Sequence, residues 1–250
     1  MPFAILVVLY LHGSAVRHRD NPQDRVMPTL ADMGRGIVDV AFHPDRNGDY
    51  RLWKDTAASL KRVGIGIGAA AVVGLFLGLN MGLFPAFRLV FYPFVLFFAK
   101  IPPLALLPIL FIVFEIGEQS KIVLIFMGTV FVIAMDIYLR VLDIPSQQII
   151  KGRTLGASDL EIVYKIVLPQ IFPRLLDSVR LNLGGAWLFL IAAESIAATE
   201  GLGYRIFVMR RYMGMDVIIP YVLWITLIAY AMDAALRLTI GRFRWVGKEA

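Results

Sequence analysis

Few residues in this chain combine the type and the setting that chemistry needs, and Glu194 is the first of them. It lies in the middle of the apolar run "LIAAESIAAT". A carboxylate in hydrocarbon is costly unless it faces a cavity or a partner. Facing a cavity, it could take a guanidinium or amine as a direct counter-ion. Facing another helix, it would be a structural ion pair or hydrogen-bond acceptor. Ser195, Thr199 and Asn182 could share that polar environment and, with Glu194, line a substrate route. From the residues alone both readings stay open.

A second concentration of polar residues lies in the stretch "GRTLGASDLEIVYKIVLPQIFPRL", residues 152–175, set between strongly apolar segments. Ser146 follows Pro145 and can cap a helix running to about Leu155, and Gly156 supplies the left-handed residue that commonly ends one. Ser158 to Glu161 reads as a capping box, with Ser158 as N-cap and Glu161 reaching back from the third position. The second helix is expected to bend or end at Pro169, which lacks an N–H and clashes with the preceding turn. Leu160, Val163, Tyr164 and Val167 fall on one face at helical spacing. An elbow specified this closely suits being gripped by another protein, and a stiff connector between spans is the plainer alternative.

Other chemistries lack their parts. With no cysteine, disulfides, thiolate metal sites and cysteine nucleophiles are excluded together. His12, His18 and His43 lie near the N-terminus without ligand-like spacing. No Gly-rich loop ends in Gly-Lys-Ser/Thr, so the chain has no phosphate cradle of that kind. No His-Glu-x-x-His helix, Gly-x-Ser-x-Gly elbow or facing pair of intramembrane aspartates marks an intramembrane enzyme. A secondary transporter would favour an inverted repeat, and none is apparent.

The elements that must hold these residues are membrane helices. The chain is 58% hydrophobic and 18% charged, against about half and a quarter in soluble domains. Its apolar residues fall in blocks near the length of a bilayer span. Residues 2–16 are apolar but short, which suggests a first helix cut short at its start or a tilted, half-inserted anchor. Residues 17–58 are polar, with short interfacial helices expected. Spans follow at about 63–83, 88–114, 121–140, 181–199 and 217–237. Gly74, Gly78 and Gly82 share one helix face and predict close helix packing. Pro102, Pro103 and Pro108 predict a kink in the third segment, against a cavity or as a simple bend.

Net charge is +6, and its pattern points to membrane orientation rather than to nucleic acid. Arg140, Lys151, Arg153, Lys165, Arg174 and Arg180 around the elbow, and Arg237, Arg242, Arg244 and Lys248 in the tail, place both in the cytoplasm. The basic content of 17–58 conflicts mildly with that, offset by its acidic residues. Asp136 with Arg140, and Asp233 with Arg237, are spaced to form structural pairs. Tyr204, Tyr212, Tyr221 and Trp224 are expected in an outer aromatic belt. "RRYMGMD", 210–216, reads as an interfacial anchor or a dock for an external protein.

The elbow resembles the coupling loop of type I permease subunits of ABC importers. Gly156, Ile166, Leu168 and Pro169 match that family's spacing, whereas Ile150-Lys151-Gly152 stands where Glu-Ala-Ala is usual, so any salt bridge made by the family's glutamate is absent or replaced. The resemblance extends from about Trp53 to Arg244. "IPPLALLPILFIVFEIGEQSK" and "AWLFLIAAESIAATEGLGYRI" are similar to the nitrate, sulfonate, taurine and bicarbonate branch, with a further likeness to urea-carboxylase-related and guanidine-type permeases.

It implies an all-α polytopic membrane helical bundle, the transmembrane domain of a type I ABC importer, with about five to six spans. Residues 1–58 would hold the partial first helix and an extracytoplasmic segment, 59–240 the permease core with its coupling loop at 141–180, and 241–250 a basic cytoplasmic tail. Arg153, Leu155, Gly156, Ala157, Ser158, Asp159, Leu160, Glu161 and Pro169 would couple to an ATPase. The subunit would sit in the bacterial cytoplasmic membrane without catalytic residues or a cofactor of its own. It would pair with a second permease copy, identical or a close paralogue, and with a dimer of ATPase subunits carrying ATP and Mg. A periplasmic or lipid-anchored binding protein would deliver a small polar nutrient: guanidine, a urea-like compound, nitrate, a sulfonate or taurine. Relatives that import anions also tend to carry an acidic residue where Glu194 stands, which favours its structural reading.

Overall fold

The computed structural model describes residues 2–21, 24–45 and 48–243; Arg244 and Lys248 of the expected tail lie outside them. Every regular element among the described residues is helical. In order they are α1 (Pro2–Asp20), α2 (Leu30–Phe42), α3 (Arg51–Leu83), α4 (Pro85–Phe98), a 3₁₀ turn (Pro103–Leu106), α5 (Leu107–Val113), α6 (Glu118–Leu142), α7 (Ser146–Thr154), α8 (Asp159–Glu161), a π turn (Ile162–Val167), α9 (Leu168–Ala197), α10 (Leu202–Arg211) and α11 (Met215–Gly241).

Among the described residues four helices are long and apolar enough to cross a membrane: α3, α6, the continuous run Asp159–Ala197, and α11. The bent pair α4 and α5 passes the same test when taken together, as a broken span or a re-entrant loop. α1 is not among them, because its last turn holds Arg17, His18 and Arg19. The third apolar segment is thus two helices meeting at 84° rather than one kinked helix. Its prolines explain the break, since Pro102 and Pro103 offer no N–H to continue α4, and Pro108 suits the first turn of α5.

The chain forms two compact units. One contains residues 62–190 and 229–250, the other residues 1–61 and 191–228. In the larger unit, α3 and α6 pack through glycine. A Cβ built on Gly66, Gly74 or Gly78 would lie 2.7–2.8 Å from the side chains of Ile125, Ile133 and Ile137, and Gly82 meets Val141 in the same way. Each glycine faces the residue fifty-nine positions later, so the two helices run parallel and in register. A parallel pair requires the intervening chain to return to its starting side. The bent α4–α5 segment is therefore a full return crossing and not a re-entrant loop. Phe98 stacks on Phe131, with half-exposed Phe94 edge-on beside it.

The structural pairs expected from spacing form: Asp136 and Arg140 at 3.5 Å, and Asp233 and Arg237 at 2.6 Å. Arg180 joins the second pair, reaching Asp233 at 3.2 Å and Asp177 at 2.8 Å.

Candidate functional site

The elbow is built from local rules. α7 begins at Ser146 with Pro145 as its N-cap, so Ser146 is the first helical residue and not the cap expected. Pro145 has no side-chain acceptor with which to cap, and its rigid ring sets the entry instead. At the other end Gly156 has φ +84°, its N–H donates to the Arg153 carbonyl at 2.9 Å, and the Ala157 N–H donates to the Gly152 carbonyl at 3.0 Å. These two bonds define a Schellman motif. A Cβ on Gly156 would meet nothing within 4 Å, so the backbone angle requires glycine there and space does not. Gly152 is the reverse case: a Cβ would come within 2.8 Å of Ile166 Cδ1.

Two residues on, the capping box forms. The Glu161 N–H donates to Ser158 Oγ at 3.3 Å, and the Ser158 N–H donates to Glu161 Oε2 at 3.0 Å. Arg153 bridges the turn to Asp159 at 3.2 Å, and Lys165 reaches Glu161 at 2.8 Å. Ile162, Val167 and Leu168 belong to or pack on the core of the larger unit, with Ala157 and Ile166 beside them. The elbow is thus welded to the bundle at its base. At its tip Leu155 and Leu160 are 79% and 70% exposed, flanked by exposed Ile150 and Tyr164.

Two expectations about the second arm fail for one reason. Pro169 does not end the helix, which continues to Ala197. The π turn at Ile162–Val167 inserts an extra residue just before Pro169, where the hydrogen-bond ladder must accommodate its ring and missing N–H. That extra residue also shifts the helical register. Leu160 and Tyr164 face outward while Val167 is buried, so the four residues expected on one face are divided.

Two of the residues considered for a substrate route bond back to their own helix. Asn182 donates to the Ser178 carbonyl and Ser195 to the Ala192 carbonyl, each within α9. Asn182 sits twelve residues before Glu194 on α9, about 18 Å along the axis. Thr199 lines a polar cavity of about 210 Å³ with Arg51, Lys54, Tyr204 and Arg205. Glu194 is fully enclosed. Its carboxylate accepts from Ser59 Oγ at 2.8 Å and from the Gly203 N–H at 2.8 Å.

Glu194 belongs to a polar cluster that the sequence did not disclose. Three successive N–H groups open α10, and each finds an oxygen on another helix. Gly201 donates to Asp55 Oδ1 at 2.9 Å, Leu202 to Ser59 Oγ at 2.9 Å, and Gly203 to Glu194. The free donors and positive dipole end of a helix start are being met by two carboxylates. Arg205 closes the cluster on Asp55 at 2.8 Å. Tyr221 is buried with its hydroxyl 3.3 Å from Asp55, which removes it from the expected aromatic belt. Trp224 Nε1 donates to Thr56 Oγ1. A second cluster, in the larger unit, joins Glu118 to fully buried Arg62 through two bonds of 2.6 and 2.7 Å, with Lys121 at 3.0 Å. One signal was available: Asp55, Ser59 and Arg62 follow at helical spacing and make a polar stripe leading into an apolar span.

Comparison with known proteins agrees with this arrangement. Residues 70–244 match the family described as "Binding-protein-dependent transport system inner membrane component". The taurine transport system permease protein TauC of Escherichia coli is 36% identical over 189 residues, covering 76% of this chain and 69% of TauC. The bicarbonate transport system permease protein CmpB of Synechococcus elongatus is 30% identical over 204 residues, 81% of this chain and 72% of CmpB. In fold, the chain is similar to one from an inward-facing structure of the MetNI methionine ABC transporter, with a TM-score of 0.69 at 22% identity over 80% of this chain and 99% of that one. A multi-pass helical bundle with a stiff polar elbow, matched over most of its length, belongs to the binding-protein-dependent transport system inner membrane component family, the membrane permeases of ABC importers.

Proposed function

We propose that this chain forms the translocation path of an ATP-driven importer for a small polar nutrient and that its elbow receives force from a separate ATPase. The observation that carries this reading is the construction of the elbow. A Schellman turn and a capping box back to back hold Leu155 and Leu160 outward, while Ile162, Ile166 and Val167 anchor the same segment in the core. Exposed apolar side chains on a rigid, cored mount suit a hydrophobic cleft on a partner better than they suit water. The basic residues around the elbow put it on the cytoplasmic side, where the partner would hold ATP and Mg.

In this reading ATP binding closes the partner dimer, the elbow moves as one piece with the base of α9, and a pair of permease copies alternates between its two openings. A ligand or nucleotide drives such a change only through different affinity for the two states. For the dock of an external binding protein we take the exposed turn at Tyr212 and Met213. The substrate belongs with the small nutrients named for the relatives, such as taurine or bicarbonate. A guanidinium or urea-like cargo has less support, because the carboxylate that would best receive a guanidinium is occupied by Ser59 and Gly203. Glu194 is in our reading a cap for α10.

The test is reconstitution of the permease with its ATPase and binding protein. ATP hydrolysis stimulated by the loaded binding protein, and lost when Leu155 and Leu160 are replaced by glutamate, is the expected result. Transport by the permease alone, unaffected by ATP, would overturn the reading.

A further inference from the structure

α2 lies before the matched range 70–244 and takes no part in the elbow or the polar clusters. Its surface divides lengthwise into three. Met33, Val40 and Ala41 are buried, and a Cβ built on Gly36 would lie 2.7 Å from the Asp216 carbonyl oxygen, so backbone meets backbone there. Leu30, Gly34, Val38 and Phe42 recur every fourth residue and are exposed, Val38 by 45% and Phe42 by 67%. The adjoining stripe, Arg35 and Asp39 with His43 at the cap, is exposed and polar.

A helix lying between a protein and water needs two faces. This one has a third, apolar and uncovered, placed between the buried face and the polar one. Such an order suits a line where protein, hydrocarbon and water meet. Depth points the same way. Asp216 stands in the first turn of α11, whose apolar run begins at Val217. The close approach at Gly36 therefore holds α2 at the level where that span enters the bilayer. Farther along α11, Val222, Leu223 and Leu227 are exposed, as the outer side of a span would be. Half-exposed Tyr50 and Trp53 lie at the start of α3 in the same unit, residue types favoured at the membrane boundary. The helix is also started firmly, with Thr29 and Asp32 closing a reciprocal capping box at 3.1 and 3.2 Å.

We propose that α2 is an interfacial helix resting in the headgroup–acyl boundary, with Leu30, Val38 and Phe42 in lipid and Arg35 and Asp39 turned to water. Its polar side carries one cation, Arg35, and two anions, Asp32 and Asp39, so attachment depends on apolar burial and not on anionic headgroups.

The chain has no cysteine, so single labels are unambiguous. V38C, F42C, R35C and D39C, all on the exposed side, would each carry an environment-sensitive fluorophore in the permease complex reconstituted in phosphatidylcholine vesicles. Doxyl-labelled lipid should quench positions 38 and 42 several-fold more than 35 and 39, aqueous iodide should show the reverse order, and added phosphatidylglycerol should change neither. Equal iodide quenching at all four positions would make the face a solvated one and overturn the proposal. Protection of 38 and 42 from both quenchers would assign the face to a protein partner and overturn it as well. Quenching by lipid that appears only with phosphatidylglycerol would overturn the apolar basis.

Discussion

Gly156→Val tests the elbow at the residue on which its shape depends most. With φ at +84°, an L-residue is strained whatever space surrounds it, and here the space is empty. The left-handed region costs a side chain about 1–2 kcal/mol, and more for a β-branched one. If the turn gives way instead, the bonds from Gly156 and Ala157 to the end of α7 are lost, at about 0.5–1.5 kcal/mol each. Either route costs on the order of 2 kcal/mol, enough to change the population of the correct elbow about 30-fold. The bundle should survive, because its glycine-mediated helix contacts lie elsewhere. The assay is substrate moved per ATP hydrolysed by the reconstituted complex, with normal membrane insertion as the control. Coupling should fall in the order Gly, Asn, Ala, Val, because asparagine tolerates the left-handed region and valine does not. Wild-type coupling in Gly156→Val, with the insertion control passed, would refute the view that the elbow must hold this shape to transmit force.

Glu194→Gln should leave substrate affinity and rate unchanged while lowering the melting midpoint of the purified complex, since a charged acceptor at the start of α10 is worth about 1–3 kcal/mol; a changed affinity with an unchanged midpoint would restore the direct-contact role. Gly78→Val should abolish folded permease, because its Cβ falls 2.7 Å from the Ala134 carbonyl oxygen, whereas Gly68→Ala, with nothing within 4 Å, should express normally. Leu160→Glu should keep the melting midpoint within about 0.5 kcal/mol of stability, as surface changes do, yet lose the co-purifying ATPase. Hydrogen bonds from the Thr29 hydroxyl and N–H hold the Asp32 carboxyl below its usual range. That depression stabilises the first turn of α2 above the unfolded value, about pH 4, and the stabilisation is lost as pH falls through the folded value. Hydrogen exchange of that turn should accelerate on acidification, and Asp32→Asn should remove the pH dependence.

What could be read in the sequence was local. The Gly156 turn and the Ser158–Glu161 box form as expected because each is decided within six residues. The glycine face of α3 was legible for a similar reason, since small residues four apart demand a close neighbour even when the neighbour is unknown. Pro169 was misjudged because its cost is relieved by a π turn that no propensity reveals. The partners of Glu194 were out of reach: Ser59 lies 135 residues away, and only the folded chain brings it to the start of α10. Tyr221 failed similarly, an aromatic near a span end that folding turned inward to Asp55.

The fixed offset between α3 and α6 limits how this importer can move. Isoleucine side chains seated over glycines behave like teeth in a rack, so the two helices cannot creep past each other by fractions of a residue. Any slip must jump a whole turn, about 5.4 Å, and unseat every tooth together. The pair should travel as one beam, leaving the opening and closing of the path to seams that lack such teeth.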